Sequence, residues 1–203
     1  MNVRNIINKY VCPFVSLATF DAFVSDSSQT AADLRAAMTT AGEEIMSRAE
    51  WSQLYKLDTI ASGTSSVDLP DNFHRVLKGN TIYLAATPFT PIAYIRSADV
   101  WAQANLLPSS QPYFSIKNGT IKFMPALTAD AQFRYMSKNW LESGDDQVDS
   151  LTTDDDVPMF PERLLALGTL WRYRRAKGLS WQDYADEFEA MLASEIKADR
   201  GIS

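Results

Sequence analysis

The apolar period of this chain changes twice. Up to about residue 60 hydrophobic side chains recur every three or four positions. From Gly63 to about Met136 they alternate with polar ones, and from Phe160 the helical spacing returns. A helix buries a stripe and a strand buries one face, so a segment patterned for one does not serve as the other. The order predicts an α+β fold: a helical bundle built from N- and C-terminal helices with an inserted antiparallel β lobe. The expected divisions are 1–62 with 158–203 for the bundle, 63–142 for the lobe and 143–157 for an acidic linker. A length of 203 residues accommodates one domain carrying such an insertion.

The strongest helical signal lies at the C-terminal end. Pro161 suits a first helical position, where its missing N–H has no partner to lose. Leu164, Leu165, Leu167, Leu170, Trp171 and Tyr173 follow at helical spacing, and Gly178 supplies a left-handed stop. Ser180 with Asp183 resembles a capping box for a second helix, whose apolar face is Trp181, Tyr184, Phe188, Met191, Leu192 and Ile196. Arg172, Arg174, Arg175 and Lys177 fall where cations oppose the negative end of the first helix's dipole. In the N-terminal half, residues 1–10 read as a short helix ended by Pro13. Residues 14–29 read as a loop, and Thr30–Leu57 as one long helix with Trp51 and Tyr55 on a shared face. Gly42, inside that helix, marks a close helix crossing.

Within the lobe, Asn118-Gly119 is the clearest local instruction. A two-residue type I′ turn needs positive φ at both positions, so 113–117 and 120–124 form a hairpin. Phe73–Leu77 and Thr81–Ala85 are expected to form another across Lys78-Gly79-Asn80, and Ala131–Met136 to add a strand to the 113–124 hairpin. Pro88 and Pro91 point to an edge or a crossover, Ile92–Ile95 to a short strand and 98–107 to a short helix.

Chemistry-bearing patterns are sparse. The single cysteine, Cys12, makes no internal disulfide and reads as a small buried apolar residue. The single histidine, His74, reads as a structural side chain. The aspartates of 143–157 lack the order of an EF-hand loop, and no Gly-rich phosphate cradle or nucleophile elbow is present. No enzyme, cofactor or metal is expected. A net charge of −6 argues against tight DNA binding over the whole surface. No run approaches the roughly 18 apolar residues of a membrane-spanning helix, and residues 1–20 do not read as a signal peptide.

The run 48–84, RAEWSQLYKLDTIASGTSSVDLPDNFHRVLKGNTIYL, resembles the head-to-tail adaptor (connector, tail tubular A-like) proteins of tailed double-stranded DNA phages. The matching elements are a helix reaching Trp51 and Leu54, a small-residue turn, and Leu69-Pro70-Asp71 followed by Phe73. The C-terminal part is also similar: an acidic linker, Pro161-Glu162, an aromatic helix through Trp171 and Tyr173, and a last Tyr/Phe helix. The resemblance spans about 30–199 and rests on order and spacing. It implies a virion neck protein assembled in the host cytoplasm, a homo-oligomeric ring, usually of twelve copies, docked on the portal protein. The ring lengthens the channel for passing DNA without reading its sequence and offers a platform to a tail or nozzle protein. Under that reading Trp51, Tyr55, Trp171, Trp181 and Tyr184 are expected anchors between subunits. The Asn118-Gly119 tip is a candidate for tail or neighbour contact. For the portal, the candidates are Ile202, in the few residues after the last helix, and the 1–29 segment.

Overall fold

The computed structural model describes residues 1–79, 81–85, 90–106 and 109–201. In chain order the elements are α1 (Val3–Ile6), α2 (Gln29–Arg48), β1 (Tyr55–Ile60), β2 (Ser66–Asp68), β3 (Phe73–Val76), β4 (Ile82–Leu84), β5 (Thr90–Pro91), β6 (Ala93–Tyr94) and α3 (Ala98–Ala104). They continue with β7 (Tyr113–Lys117), β8 (Thr120–Met124), β9 (Ala131–Ser137), β10 (Leu141–Ser143), β11 (Asp146–Val148), β12 (Val157–Pro158), α4 (Glu162–Ala176) and α5 (Gln182–Asp199). The fold is mixed α+β. It separates into two compact units, Met1–Leu54 with Lys138–Ser203, and Tyr55–Ser137.

In the first unit α4 is the central helix. Every residue from Leu164 to Leu170 is buried, because α2, α5 and the N-terminal turns all pack on it. Gly168 permits the closest approach: a Cβ there would sit 2.9 Å from Ala41 Cβ and 3.1 Å from Phe188 Cε2. The helix crossing assigned to Gly42 is therefore at Gly168 instead. Gly42 makes room for an aromatic ring, since its Cβ would lie 2.5 Å from two atoms of Trp140. Trp140 stacks on Phe160 (6.1 Å between centroids, 9° between planes), and Phe160 in turn meets Trp51 at 5.4 Å.

The helix ends depart from the sequence reading in instructive ways. Ser28 caps α2 through Ala31 N–H (3.2 Å), two residues before the expected start. α2 stops at Arg48, not Leu57, and Tyr55 leaves in a strand. The buried Trp51 indole N–H folds back and donates to Ile45 O (2.7 Å), satisfying one of the orphan carbonyls of the last turn. Pro161 is the residue before α4 rather than its first, with its carbonyl accepting from Leu164 and Leu165. At the other end Gly178 (φ +68°) closes α4 as expected: its N–H donates to Arg175 O (3.1 Å) and that of Leu179 to Arg174 O (2.9 Å). Trp181, not Ser180, precedes α5, and Ser180 O instead accepts from Arg174 Nε.

Residues 1–15 form α1, a π-turn (Ile7–Val11) and a 3-10 turn containing Pro13, with Val3, Ile6, Ile7, Val11 and Cys12 all buried. The 14–29 loop is pinned by Asn8, whose Nδ2 donates to Phe20 O (2.9 Å) while its Oδ1 accepts from Phe20 N–H (2.8 Å). The acidic 143–157 stretch is structured rather than a bare linker: β11, β10 and β12 form a small antiparallel sheet. Asp156 is fully buried and accepts from the N–H groups of Thr152 (2.6 Å) and Thr153 (3.0 Å) and from both hydroxyls. Burial pushes its carboxyl up, but these donors prevail and hold it below the ordinary carboxylate value. Asp154 accepts from Val24 N–H (2.6 Å), and Asp156 O from Val3 N–H (2.8 Å), so these aspartates tether the N-terminal segment.

The second unit holds two sheets around one core of Ile60, Ile82, Leu84, Phe114, Ile121, Phe123 and Phe133. One sheet runs β2-β8-β7-β6. The Asn118-Gly119 hairpin joins β7 to β8 with both turn residues at positive φ (53° and 76°), as its dipeptide requires. The other sheet runs β1-β9-β4-β5, with β3 also on β9. Two expectations fail here. β9 belongs to this sheet, not to the 113–124 hairpin. β3 and β4 do not pair with each other: both lie antiparallel to β9, β3 against residues 135–137 and β4 against 131–133. Alternation marked both as strands, but β9 is long enough to serve both along one edge. Of the expected turn between them, Asn80 lies outside the described residues, as do Pro88 and Leu107. The segment around Ile92 crosses between sheets, β5 pairing with β4 and β6 running parallel to β7. Pro91 stands on the edge strand, where no ladder donor is needed.

Candidate protein interface

Eight buried residues of α4, Leu164 to Leu170 and Tyr173, fix its register, so the side chains of its last two turns have defined exits. Trp171, Arg172, Arg174, Arg175 and Lys177 emerge there and meet the start of α5, brought back by the Gly178 turn. Cations and rings interleave. Arg172 lies over Trp171 (4.2 Å to the centroid) and Phe188 (5.5 Å), Arg174 over Tyr184 (5.0 Å), Arg175 over Trp181 (5.3 Å) and Lys177 over Tyr173 (5.5 Å). Trp171 and Trp181 approach to 5.9 Å.

Three of these cations also act as ties. Arg172 is nearly buried, bonded to Glu44 on α2 and donating to Gly168 O (2.7 Å). Burial lowers its pKa while the Glu44 charge opposes that shift. Arg174 donates to Phe14 O (2.7 Å), and Lys177 pairs with Asp33. The basic cluster thus sews α4 to α2, α5 and the N-terminal segment. Arg175 is exposed and pairs with no carboxylate among the described residues. The buried Trp171 indole N–H has no acceptor among them either.

Beside this cluster runs an apolar groove of about 280 Å³ lined by Tyr10, Phe14, Ala166, Leu167, Leu170 and Tyr184, with the Arg163–Glu187 ion pair (2.7 Å) at its rim. Phe14 is 52% exposed and meets Tyr184 edge-on at 6.2 Å. An exposed aromatic at the mouth of an apolar groove, flanked by arginines, has the composition of a protein contact centre.

The sequence-predicted anchors divide accordingly. Trp171, Trp181 and Tyr184 come together here. Trp51 is 2% exposed and belongs to the core of its unit. Tyr55 is exposed on β1, and Asn118 and Gly119 are exposed at the β7–β8 tip, all in the second unit. Ile202 lies outside the described residues. Sequence reading missed Tyr10 and Phe14, although Phe14 after Pro13 in a polar loop was the available signal. Of the chemically suggestive residues, the Cys12 thiol is buried and its pKa raised by that burial, which disfavours the thiolate. The half-buried His74 has its pKa lowered, first by burial and then by neighbouring Arg75.

Residues 3–202 match the family described as SU10 adaptor protein. A comparison with curated proteins gives no match. The family match takes in both compact units, the aromatic α4–α5 pair and the 48–84 run that carries the likeness to phage adaptors. The chain therefore belongs to the SU10 adaptor protein family and is a structural adaptor of phage.

Proposed function

We propose that this adaptor works as a dodecameric ring beneath the portal, lengthening the DNA channel and providing the platform on which the tail or nozzle docks. The observation that carries this reading is the family match over residues 3–202, which leaves almost none of the chain outside the adaptor pattern. Ring closure makes each subunit contact heterologous, two different faces of one subunit meeting. Trp171, Trp181 and Arg175 are the anchors assigned to subunit packing, and the groove lined by Tyr10 and Phe14 of the 1–29 segment is assigned to the portal, with Tyr184 at the junction of the two contacts. The Asn118-Gly119 tip is assigned to the tail side. The net charge of −6 supports a conduit role, since a lumen poor in Lys and Arg lets phosphates slide past without being held.

The test mixes the purified chain with portal protein and follows size by native mass spectrometry, then locates the chain in imaged particle necks. The expected result is a ring on the portal at the vertex collar. A chain that stays monomeric with portal present, or density elsewhere in the particle, overturns the proposal. In the ring, Phe14→Asp is expected to lower portal affinity, and unchanged affinity removes the groove from the portal contact.

A further inference from the structure

We propose that the outer face of the β1-β9-β4-β5 sheet docks on the exposed face of α5 in a second copy of the chain. The inference rests on the ring reading above and names one of its contacts.

The strand register defines the face. Tyr55, Leu57 and Thr59 stand opposite Met136, Arg134 and Gln132, and Tyr83 stands opposite Gln132 and Pro91. Side chains at paired positions share a face. The other face carries Ile60, Ala131, Phe133 and Tyr135, all in the core. Lys56 and Asp58 fall on that core side, where Asp58 accepts from the Tyr135 hydroxyl (3.3 Å). The outward positions of β1 thus hold Tyr55 and Leu57 while Lys56 and Asp58 take the core side, an inversion of the usual order for a half-buried strand that Ile60 alone escapes. Tyr55 is 45% and Leu57 54% exposed, whereas Met136 opposite Tyr55 is fully buried, so the open part of the face is Leu57, Arg134 and the flanking Tyr55 and Tyr83. Arg134 is exposed, lies 5.1 Å over the Tyr83 ring, and pairs with no carboxylate among the described residues. At these positions β1, β9, β4 and β5 contribute no acid.

A Tyr/Leu/Arg face without acids, on a chain of net charge −6, is complementary to the acidic remainder of that chain. On α5 the side opposite buried Phe188 and Leu192 presents Asp183, Asp186, Ala190 and Ala193, all exposed, with Lys197 one turn beyond. Glu187 and Glu189 are taken by Arg163 and Arg48, whereas Asp183 and Asp186 have no cation partner among the described residues. A guanidinium takes a carboxylate in paired hydrogen bonds, and the two alanines leave room for Leu57 and Tyr55. The stretch from Asp183 to Ala193 spans about 15 Å of helix. From Tyr55 to Ile60 β1 spans about 17 Å, close to the helix stretch. The contact joins two different faces, as a closing ring requires. Passing DNA is the poorer occupant, because one arginine among apolar side chains neutralises no run of phosphates.

Cysteine pairing tests this on the full chain with portal protein, and the buried Cys12 stays out of the reaction. Leu57→Cys and Ala190→Cys chains are prepared separately, mixed, and oxidised by dissolved oxygen. The expected product is a disulfide between the two variants, absent when either is oxidised alone. Arg134→Glu in the Leu57→Cys chain is expected to cut the yield about tenfold, and Asp183→Arg with Asp186→Arg in the other chain to restore it. Far-UV circular dichroism checks that each variant is folded. Rings on the portal without the mixed disulfide overturn this contact and leave the ring reading standing. So does a yield indifferent to Arg134→Glu, or a Leu57–Leu57 product, which means edge-to-edge pairing of β1. Absence of any ring from the unmodified chain overturns the ring reading itself.

Discussion

Gly42→Ala sets two effects of opposite sign against each other. In an exposed helix interior the change stabilises by about 1 kcal/mol, because alanine loses less backbone freedom. Here the new methyl would sit 2.5 Å from Cη2 and Cζ2 of Trp140 and 2.7 Å from Cε2. Carbon atoms settle at about 3.5–4.0 Å, so the ring must retreat by roughly 1 Å. It has nowhere to go: Trp140 is fully buried, stacked on Phe160, and its indole N–H is held by Asp149 O (3.0 Å). Overpacking of this kind costs about 1–3 kcal/mol, and three close ring atoms on a pinned ring put it at the upper end. The net expectation is a loss of about 1–2 kcal/mol after the helical gain is subtracted. Urea unfolding followed by tryptophan fluorescence is the assay, because four of the five tryptophans lie in the α2–α4–α5 unit. The midpoint should fall with the slope unchanged. In a Trp140→Phe background the clash is relieved and the same substitution should stabilise by up to about 1 kcal/mol. A midpoint at or above wild type, or the same cost in both backgrounds, refutes the reasoning.

Trp51→Phe keeps the ring but strands the buried Ile45 carbonyl. It should cost about 1–3 kcal/mol and speed amide exchange in the last turn of α2; unchanged exchange there rejects the capping role. Asp156→Asn sets an amide NH₂ among donors that need an acceptor, and should cost about 2–3 kcal/mol. The folded carboxyl titrates below its ordinary value, so its stabilisation is present above that value and lost as pH falls through the lowered one. Acid unfolding curves of the variant should lack that component. Tyr135 is buried beside Asp58 and its pKa is pushed up to about 12, burial being the larger cause. Because the folded state keeps this proton, stability should decline as pH rises from about 10, the ordinary tyrosine value. Absorbance titration should show a late phenol for Tyr135, moved downward by Asp58→Asn.

What the sequence announced was whatever depends on neighbours a few residues away. Asn118-Gly119 specifies its turn through two φ values, and Gly178 turns the chain so that its own N–H and that of Leu179 donate to the carbonyls of Arg175 and Arg174 and end α4. Partner choice was not legible. Phe73–Val76 and Ile82–Leu84 alternate as strands whether they pair with each other or with β9, and only the length of β9 decides. The end of α2 was hidden for a related reason. Leu54 and Leu57 continue its apolar spacing past Arg48, and the stop comes from an indole six residues beyond the carbonyl it caps. At the candidate interface the aromatic spacing of α4 and α5 brought Trp171, Trp181 and Tyr184 forward. Phe14 and Tyr10 became visible only when Arg174 fastened the N-terminal segment alongside.

The N-terminal turns have a consequence for how the protein is made. Val3, Ile6 and Ile7 are buried against helices of their own unit that include α4, which begins at Glu162. On a translating ribosome adding about 5–20 residues per second, those side chains wait on the order of 10–30 s for their cover. The strands between Tyr55 and Ser137 need nothing outside themselves for their own ladders and are free to fold during that wait. Synthesis thus matures the inserted module first and withholds the α4–α5 face until Asp199 has been added, so a product that stops short of α5 never displays it.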